Sequence, residues 1–506
     1  MRLGAWLFAI LLALFPIGLF GQSAISYAEA HRFLTLATFG PTAAEIDELR
    51  AMGYDAWFAK QFNLPASELP VDLDEKPMEY TQDYFLENAI EGKDQLRQRM
   101  LFALHKLFVV SANKVTDPSA ITSYLRMLEG VAFENYYVQL HHVTIHPAMG
   151  VYLDMVNSDR ATPGGPLPNE NYAREVLQLF SIGLQQLNPD GTAKLDANGK
   201  TIPTFTEAQI REFARLFTGW TFPSQDATTS ATDHNDSYFT GFMVPVERLH
   251  DGSAKTLLNG WQVPAGQLAQ QDIHSAVGDL YWHDNVGPFI GKQLIQQFVT
   301  SNPSPQYVAR VAAAFANNGS GLRGDMRAVL KAILLDPEAL NPPATSSGKL
   351  REPLLYAVAM VRQLVTTVTD HPFLSDSTEQ MNQKLLFPPS VFSYFSPGYR
   401  EPGGLLAPEF QITTGQTAIE RANFAGRLIY GYFGEQVKLE LTRFINAAGN
   451  TNALLDLVNN EVFGQRMTPD LRAAMQKAVD AQSDATAKAR AALYLALTAP
   501  DYQVIP

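Results

Sequence analysis

Apolar residues recur at helical spacing through most of this 506-residue chain. Ile210, Phe213, Ala214 and Phe217 show the pattern clearly, because the spacing i, i+3, i+4, i+7 places all four on one face of a helix. Gly and Pro separate the segments that carry such patterns. No segment shows several strand-like stretches in succession, and no short-period repeat is evident. The sequence therefore predicts a mainly α fold, a large multi-helix globular domain.

The predicted helices extend from residue 27 to residue 497. They cover 27–62 as a pair that divides at Gly40-Pro41, and then 95–110, 124–140, 141–157, 169–182, 206–217, 269–281, 286–298, 305–316, 324–335, 351–367, 410–432 and 470–497. Thr206 and Gln209 form a capping box at the start of one of them. Turn signals in 187–203 predict a hairpin excursion. The pattern is irregular over about 220–265, which predicts a small irregular or β insertion.

Composition excludes several classes of protein. The formal net charge is −13, and no run of Lys or Arg offers a phosphate-binding surface, so we expect no nucleic-acid partner. Hydrophobic residues make up 46% of the chain, which argues against extensive disorder. Cysteine is absent, and this excludes both disulfides and a lipoprotein anchor.

The N-terminus has the pattern of an export signal. Met1-Arg2 is a short basic region, 3–20 is apolar, and small and polar residues follow at 21–24. We predict a signal peptide over 1–22 and a single large helical domain over 23–506, located in the periplasm or outside the cell. No stable membrane span is expected after cleavage. The alternative is an uncleaved anchor, because eighteen apolar residues are close to the length of a membrane span.

The densest cluster of polar residues is Asn169-Glu170-Asn171-Tyr172-Ala173-Arg174-Glu175. On a functional interpretation, Glu170 or Glu175 is a general base or ligand and Arg174 holds an anionic group. On a structural interpretation, an asparagine caps the helix, and Glu170 and Arg174, four residues apart, form an internal ion pair.

Histidines supply the candidates for a metal. His142 and His146 are four residues apart, which places two imidazoles on one helical face. Pro147 follows directly, and because proline is typical of the first position of a helix, the alternative is that a helix begins there. Structural histidines are the alternative interpretation. The candidates for a third ligand are Asp154, Glu170, Glu175 and His250.

Two His-Asp pairs complete the candidates. His250-Asp251 lies in the irregular segment, where loops on a helical scaffold often carry sites, and we include both residues as catalytic candidates. Asp284, after His283, is predicted to cap a helix. No GxSxG, P-loop or dinucleotide fingerprint is present.

The segment 386–399 is rich in aromatic residues and proline. Such a segment lines a ligand-binding cleft or, as the alternative, fills the core.

The order of these motifs resembles one bacterial family, the domain of unknown function 1800 (DUF1800). The resemblance rests on Arg32-Phe33-Leu34, Phe39-Gly40-Pro41, Arg97-Gln98-Arg99, Phe108-Val109-Val110-Ser111, His146-Pro147-Ala148-Met149, Tyr152-Leu153-Asp154, the Asn169 block, Leu179-Phe180-Ser181-Ile182-Gly183, Phe217-Thr218-Gly219-Trp220, His250-Asp251 with Lys255, Pro388-Pro389-Ser390-Val391-Phe392 and Ala499-Pro500-Asp501-Tyr502.

The resemblance implies export and a partner, but no activity. Members of this family are often encoded beside a second exported family, the domain of unknown function 1501 (DUF1501), which implies a functional pair. Two hypotheses follow. The first is an enzyme, with a divalent metal as its cofactor, acting on an extracellular substrate through the candidates named above. The second is a non-catalytic binding or assembly protein that works with the co-exported partner.

Overall fold

The structure is a computed structural model that describes residues 24–70, 76–226, 230–343, 348–369 and 371–505. The molecule is 54% helical, with 23 helices and short strands in small sheets in this part of the chain. This confirms the mainly α prediction. The predicted signal peptide lies outside the described residues. Among the described helices, none is long and apolar enough to cross a membrane.

Ten helices precede the insertion in the described part of the chain. They are α1 (Tyr27–Ala37), α2 (Ala43–Met52), α3 (Tyr54–Asn63), α4 (Met78–Glu91), α5 (Gln95–Leu107), α6 (Pro118–Gly130), α7 (Tyr136–Ile145), α8 (Pro147–Tyr152), α9 (Asn171–Gln178) and α10 (Glu207–Leu216). Twelve of the thirteen residues of α5 are buried, so this helix is central.

The remaining helices follow the insertion. They are α11 (Ala269–Trp282), α12 (Val286–Phe298), α13 (Pro305–Ala316), α14 (Met326–Leu334), α15 (Pro337–Leu340), α16 (Pro353–Leu364), α17 (Pro372–Gln380), α18 (Gly415–Tyr430), α19 (Thr442–Ala447), α20 (Thr451–Glu461), α21 (Pro469–Asp480), α22 (Ala485–Thr498) and α23 (Pro500–Gln503).

The described strands form four antiparallel two-stranded sheets. These pair β1 (Trp220–Thr221) with β2 (Val244–Pro245), β3 (Lys255–Thr256) with β4 (Gln262–Val263), β5 (Lys349–Leu350) with β8 (Val504–Ile505), and β6 (Val365–Val368) with β7 (Val437–Leu439). The first two sheets lie within the predicted insertion and confirm its small β character. Isolated bridges between 185 and 203 confirm the predicted hairpin excursion.

Local chemistry sets many helix starts. The side chains of Ser26, Thr42 and Thr206 each accept a hydrogen bond from the backbone amide of the third residue of their helix. The side chain of that third residue accepts in turn from the backbone amide of the capping residue. Such capping boxes satisfy amides that have no partner within the helix. The predicted Thr206 box is confirmed.

Several predicted boundaries were wrong because breaks fall inside apolar patterns. The segment 124–140 divides between α6 and α7, where Asn135 accepts from the Tyr137 amide and starts a new helix. The segment 470–497 divides likewise at Asp484, which caps α22. A third helix, α3, follows Gly53 in the segment expected to hold two. Asp284 is not the cap of α12, which follows Asn285.

One hydrophobic cluster of buried residues runs from Ala30 to Ile505. It includes apolar residues of α1, α5, α12, α16 and α22, so the two halves of the chain share a core. The β5–β8 pair adds a backbone link between Lys349-Leu350 and the C-terminus. Helices α7, α8 and α9, which carry or border His142, His146, Arg174 and Glu175, contribute residues to this core.

Candidate functional site

The predicted pair of Glu170 and Arg174 lies where α9 packs against α10. Arg174 donates through two nitrogens to the carboxylate of Glu207, each over 3.0 Å, and to Glu170 over 3.3 Å. Arg211 lies 3.6 Å from Glu170. The bidentate pair with Glu207 occupies the part of the guanidinium that would hold an anionic ligand. Glu170 and Arg174 are therefore part of an ion-pair network that joins the two helices.

Glu175 differs because one of its carboxylate oxygens is free. The side chain is half-buried, and Oε2 is buried without a hydrogen-bond partner. Burial raises the pKa of this carboxyl, while Arg174 opposes the shift. Asn171, four residues before Glu175, donates to Asp154 over 3.0 Å. An unpaired carboxyl with a raised pKa has the properties of a general acid or base.

His250 belongs to a buried cluster with Asp272 and Lys255. His250 Nε2 donates to Asp272 Oδ2 over 3.1 Å, and Lys255 Nζ donates to the same oxygen over 2.6 Å. Lys255 also donates to the backbone carbonyls of Asp251 and Ser253. His250, Lys255 and Asp272 are each at most 3% exposed. Since a buried charge is costly unless it is paired, these contacts fix the insertion to α11.

The Phe217-Thr218-Gly219-Trp220 motif shapes the backbone beside His250. Gly219 has a φ of 77°, and a Cβ there would lie 2.7 Å from the His250 amide nitrogen. His250 Nδ1 lies 3.0 Å from the Thr218 carbonyl oxygen, and the Thr218 hydroxyl accepts from the Asp251 amide over 2.9 Å. Only glycine fits both the left-handed backbone and the close approach.

Asp251 is held by Arg215 of α10. Arg215 Nε donates to Asp251 Oδ2 over 2.8 Å, and the Ser253 amide donates to Oδ1 over 3.0 Å. Burial alone would raise the pKa of Asp251, but hydrogen bonds from Arg215 and Ser253 hold it well below its usual range. A carboxylate that stays ionised and paired is a weak base, so its contacts are those of a structural residue.

Helix α10 links the two groups that were expected to form one site. Glu207, Arg211 and Arg215 are spaced by four and lie along one face of it. The first two contact the Glu170–Arg174 pair, while Arg215 contacts Asp251, about 12 Å further along the helix axis. Each group is joined to α10 by its own ion pairs, and the two groups lie apart along the helix. None of these candidates lines the cavity between α7 and the insertion or the cavity between α5 and α12.

His142 and His146 pack against an aromatic ring. Their ring centroids lie 4.8 and 6.3 Å from that of Phe242. His146 Nδ1 accepts from the Ala148 amide over 3.2 Å and caps α8. Burial lowers the pKa of His142, and it lowers that of His146 to about 3. Both imidazoles are therefore neutral packing groups near neutral pH.

Further histidines extend this aromatic cluster. His141 stacks on His274 with centroids 5.0 Å apart, and Tyr137 shares a 2.8 Å hydrogen bond with His274 Nδ1. Among the described residues, no group of three or more His, Cys, Asp or Glu side chains could hold a metal ion. Metal binding by His142 and His146 stays a prediction without a third ligand in that part of the chain.

A groove of about 560 Å³, here called the insertion groove, lies between α7 and the insertion. Its lining includes Ile145 of α7 and Trp220, Tyr238, Phe242 and Met243 of the insertion. Phe242 is 36% exposed. The indole nitrogen of Trp220 is buried and has no hydrogen-bond partner. Within the described part of the chain, the lining carries no Asp, Glu, Lys or Arg.

A second cavity, here called the Lys106 cleft, lies between α5, α12 and the aromatic segment 386–399. Its lining includes Lys106, Gln293, Phe392 and Ser393. Both interpretations of this segment hold, each for a different residue. Leu386 fills the core, and Phe392 lines the cleft. Lys106 was missed from the sequence, although the only Lys or Arg within the apolar stretch 100–110 was an available signal.

Asp272 was also missed, and here the sequence offered no signal. It is an ordinary acidic residue in the first turn of α11, and only the fold brings it beneath His250 and Lys255.

Comparison with known proteins identifies the family. The model of the family described as protein of unknown function (DUF1800) matches residues 32–504. The chain belongs to the DUF1800 family. The DUF1800 match includes the α9 block, the insertion and the Lys106 cleft, so these features lie within the family's own region. No curated protein and no solved structure matches the chain.

Proposed function

We propose that this DUF1800 protein is an exported, non-catalytic binding or assembly protein, and that its insertion groove takes an apolar segment of a co-exported DUF1501 partner. The observation that carries the proposal is the groove itself. It offers apolar and aromatic contact area, together with a buried indole N–H that lacks an acceptor. A partner segment would supply that acceptor as a backbone carbonyl.

The contacts of the catalytic candidates also support binding over catalysis. Arg174 is held by Glu207, and Asp251 by Arg215. His250 is enclosed with Asp272. Arg174 and Asp251 thus each have a partner of opposite charge, which leaves little charge free to act on a ligand.

Export is supported by the N-terminal pattern. A basic start, an apolar stretch and small residues at 21–24 are typical of a cleaved signal. In an oxidising compartment, a chain without cysteine depends on its core for stability. The shared core from Ala30 to Ile505 is large enough for that role.

The test is capture of an exported DUF1501 protein from the same cell by the tagged mature chain. Phe242→Asp places a charge in the groove and should abolish capture. Tyr432→Asp is the matched control, because Tyr432 is an aromatic residue on another surface and is 76% exposed. Equal capture by both variants, or no capture by the wild-type chain, would contradict the proposal.

A second candidate, an enzyme acting on an extracellular substrate, is favoured by Glu175 alone. Its free oxygen and raised pKa suit general acid or base work. In a screen of extracellular substrates, Glu175→Gln should remove any turnover, while Glu207→Gln, at an exposed carboxylate, should not. Activity that persists in Glu175→Gln would exclude this role.

A further inference from the structure

A cluster of buried charged residues adjoins the Lys106 cleft, and two of them, Lys106 and Glu409, line it. The cations are Arg99, Lys106, Lys349 and Arg421, and the carboxylates are Glu352 and Glu409. All six are at least 94% buried. Lys106 donates to Glu352, and Lys349 lies 3.1 Å from Glu409.

Positive charge is in excess in this cluster. Arg99 donates to the carbonyl of Gln297 and Arg421 to that of Arg351, and each has a further guanidinium nitrogen without a partner. Glu352 acts on both of them at longer range. Because uncompensated buried charge is costly, a second source of negative charge at this position would be favourable.

The cleft has room and hydrogen-bond donors for an anionic group. Its volume is about 50 Å³, which fits a head group of a few heavy atoms. Lys106 lines it, as do Gln293 and Ser393, whose Nε2 and Oγ atoms are buried and without partners. An ammonium, an amide and a hydroxyl are the donors that a small oxyanion accepts from.

Ser393 is held in a conformation that serine rarely adopts. Its φ is 68°, in the left-handed region, and the side chain is 5% exposed. Its amide donates to the Ser390 carbonyl over 3.0 Å, which fixes the turn. Strained residues with free polar groups occur at ligand-binding positions, because the surrounding fold keeps them ready for the ligand.

The outer part of the cleft is apolar. Its wall is formed by Leu107, Leu179, Val391, Phe392, Pro397 and Pro408. Phe392 is 40% exposed and lies at the rim. Glu409, the acidic residue of the wall, is compensated by Lys349 and accepts from Ser301 over 3.3 Å. The cavity thus joins polar donors to an apolar surface.

We infer that the Lys106 cleft binds the carboxylate of a ligand whose body is apolar. The carboxylate accepts from Lys106, Gln293 and Ser393, and the apolar body lies against Val391 and Phe392. The inference is independent of the insertion groove and of the proposed partner.

The charge of Lys106 gives the site a measurable pH signature. Burial lowers the pKa of Lys106 to about 8, with Glu352 opposing the shift and Lys349 and Arg99 adding to it. Titratable groups on the adjoining elements also include His105 of α5, Lys292 of α12, Tyr394 and Glu409. A carboxylate beside Lys106 favours its charged form, so binding should take up protons between about pH 8 and 9.

The experiment is calorimetric titration of the mature chain with sodium octanoate, with 1-octanol and octyl phosphate as comparison ligands. We expect octanoate to bind, 1-octanol not to bind, and proton uptake to appear in buffers of different ionisation enthalpy. Absence of octanoate binding would overturn the inference. Equal binding of 1-octanol would do so too, and tighter binding of octyl phosphate would assign the site to phosphates.

Ser393→Gly separates binding from folding. Glycine relieves the left-handed strain and removes the hydroxyl, so thermal stability should rise or stay level while octanoate affinity falls about tenfold. Gln465→Gly is the matched control, because Gln465 also has a φ of 68° but is exposed at another position. Unchanged affinity in Ser393→Gly, or an equal loss in Gln465→Gly, would overturn the assignment.

Discussion

Lys255 and Lys114 each form an ion pair with an aspartate. The two pairs differ in burial, so we expect them to contribute differently to the stability of the fold. Lys255 meets Asp272 over 2.6 Å with both side chains enclosed. Lys114 meets Asp154 over 2.7 Å with each side chain 44% exposed. Water solvates the second pair and weakens it, while the first pair has no solvent to replace a lost partner.

Lys255→Met should therefore be costly. It leaves Asp272 buried beside His250 only, and we expect the free energy of unfolding to fall by about 3 kcal/mol. Lys114→Met, the exposed control, should cost below about 1 kcal/mol. Urea denaturation at pH 7 measures both. Similar losses of stability in the two variants would show that burial does not determine how much the Lys255–Asp272 pair contributes to stability.

The same contrast explains which candidate residues could be predicted. The α9 block and the His250-Asp251 pair stand out in sequence because polar residues cluster there. Their partners Glu207, Arg215 and Asp272 are ordinary charged residues, and only the fold brings them close. Without those partners, a sequence cannot distinguish a free catalytic carboxylate from one held in an ion pair.

At the scale of elements, Asn285 shows how one side chain positions a whole segment. Its Nδ2 donates to the carbonyls of Ile182 and Gln185 over 2.8 and 2.7 Å. Its Oδ1 accepts from the Leu187 amide over 2.9 Å. The residue is 1% exposed, so these bonds hold the start of the hairpin excursion against the N-terminus of α12.

Asn285→Ala should free the hairpin from α12. Three hydrogen bonds are lost and their backbone partners are left unpaired, so we expect a cost of about 3 kcal/mol. Asn188→Ala is the control, because Asn188 donates to Thr192 within the hairpin at the surface. Hydrogen exchange should speed up between 183 and 203 in the first variant alone. Unchanged exchange there would contradict this role for Asn285.

The predicted helix boundaries were wrong where an apolar pattern continued through a turn. Val286–Phe298 and Pro305–Ala316 were predicted to the residue, because turn residues flank an unbroken apolar pattern. Apolar residues continue through the break between α6 and α7, since Val131, Ala132 and Phe133 are buried in the core although they are not helical. Periodicity cannot separate such a buried turn from a helix.

At the scale of the whole molecule, buried titratable groups set the dependence of stability on pH. Burial lowers the pKa values of His31 and His146 to about 3 and those of His105 and His141 to about 4. Each is near 6.5 in the unfolded chain. The contribution of these histidines to the free energy of unfolding is complete above pH 6.5 and is lost as the pH falls towards 4. The reason is that the unfolded chain then binds protons that the folded chain excludes.

Two carboxyls act in the opposite direction. Burial raises the pKa of Glu129 to about 7 and that of Asp279 to about 6. Their protonated forms suit the folded state, so they add stability as the pH falls below those values. On acidification, the stability lost through the four histidines exceeds the stability gained through the two carboxyls. The free energy of unfolding therefore falls.

We expect the free energy of unfolding to fall by about 3 kcal/mol between pH 7 and pH 5. Urea midpoints at pH 7, 6 and 5 measure this. His105→Leu should reduce the loss, because it removes one buried imidazole, whereas His234→Gln at the exposed pair with Asp159 should not. A midpoint that rises on acidification would contradict the expected balance.

The sequence by itself determined the helical class, the position of the β insertion, the hairpin excursion and the DUF1800 family, because periodicity, turn residues and motif order are local properties of the chain. The tertiary structure alone decided which polar residues pair. It enclosed His250 with Asp272, tied Arg174 to Glu207, and placed Lys106 and Ser393, 287 positions apart, on one cleft. Burial and partner geometry set the chemistry of a charged group, and both arise only when distant segments share a core.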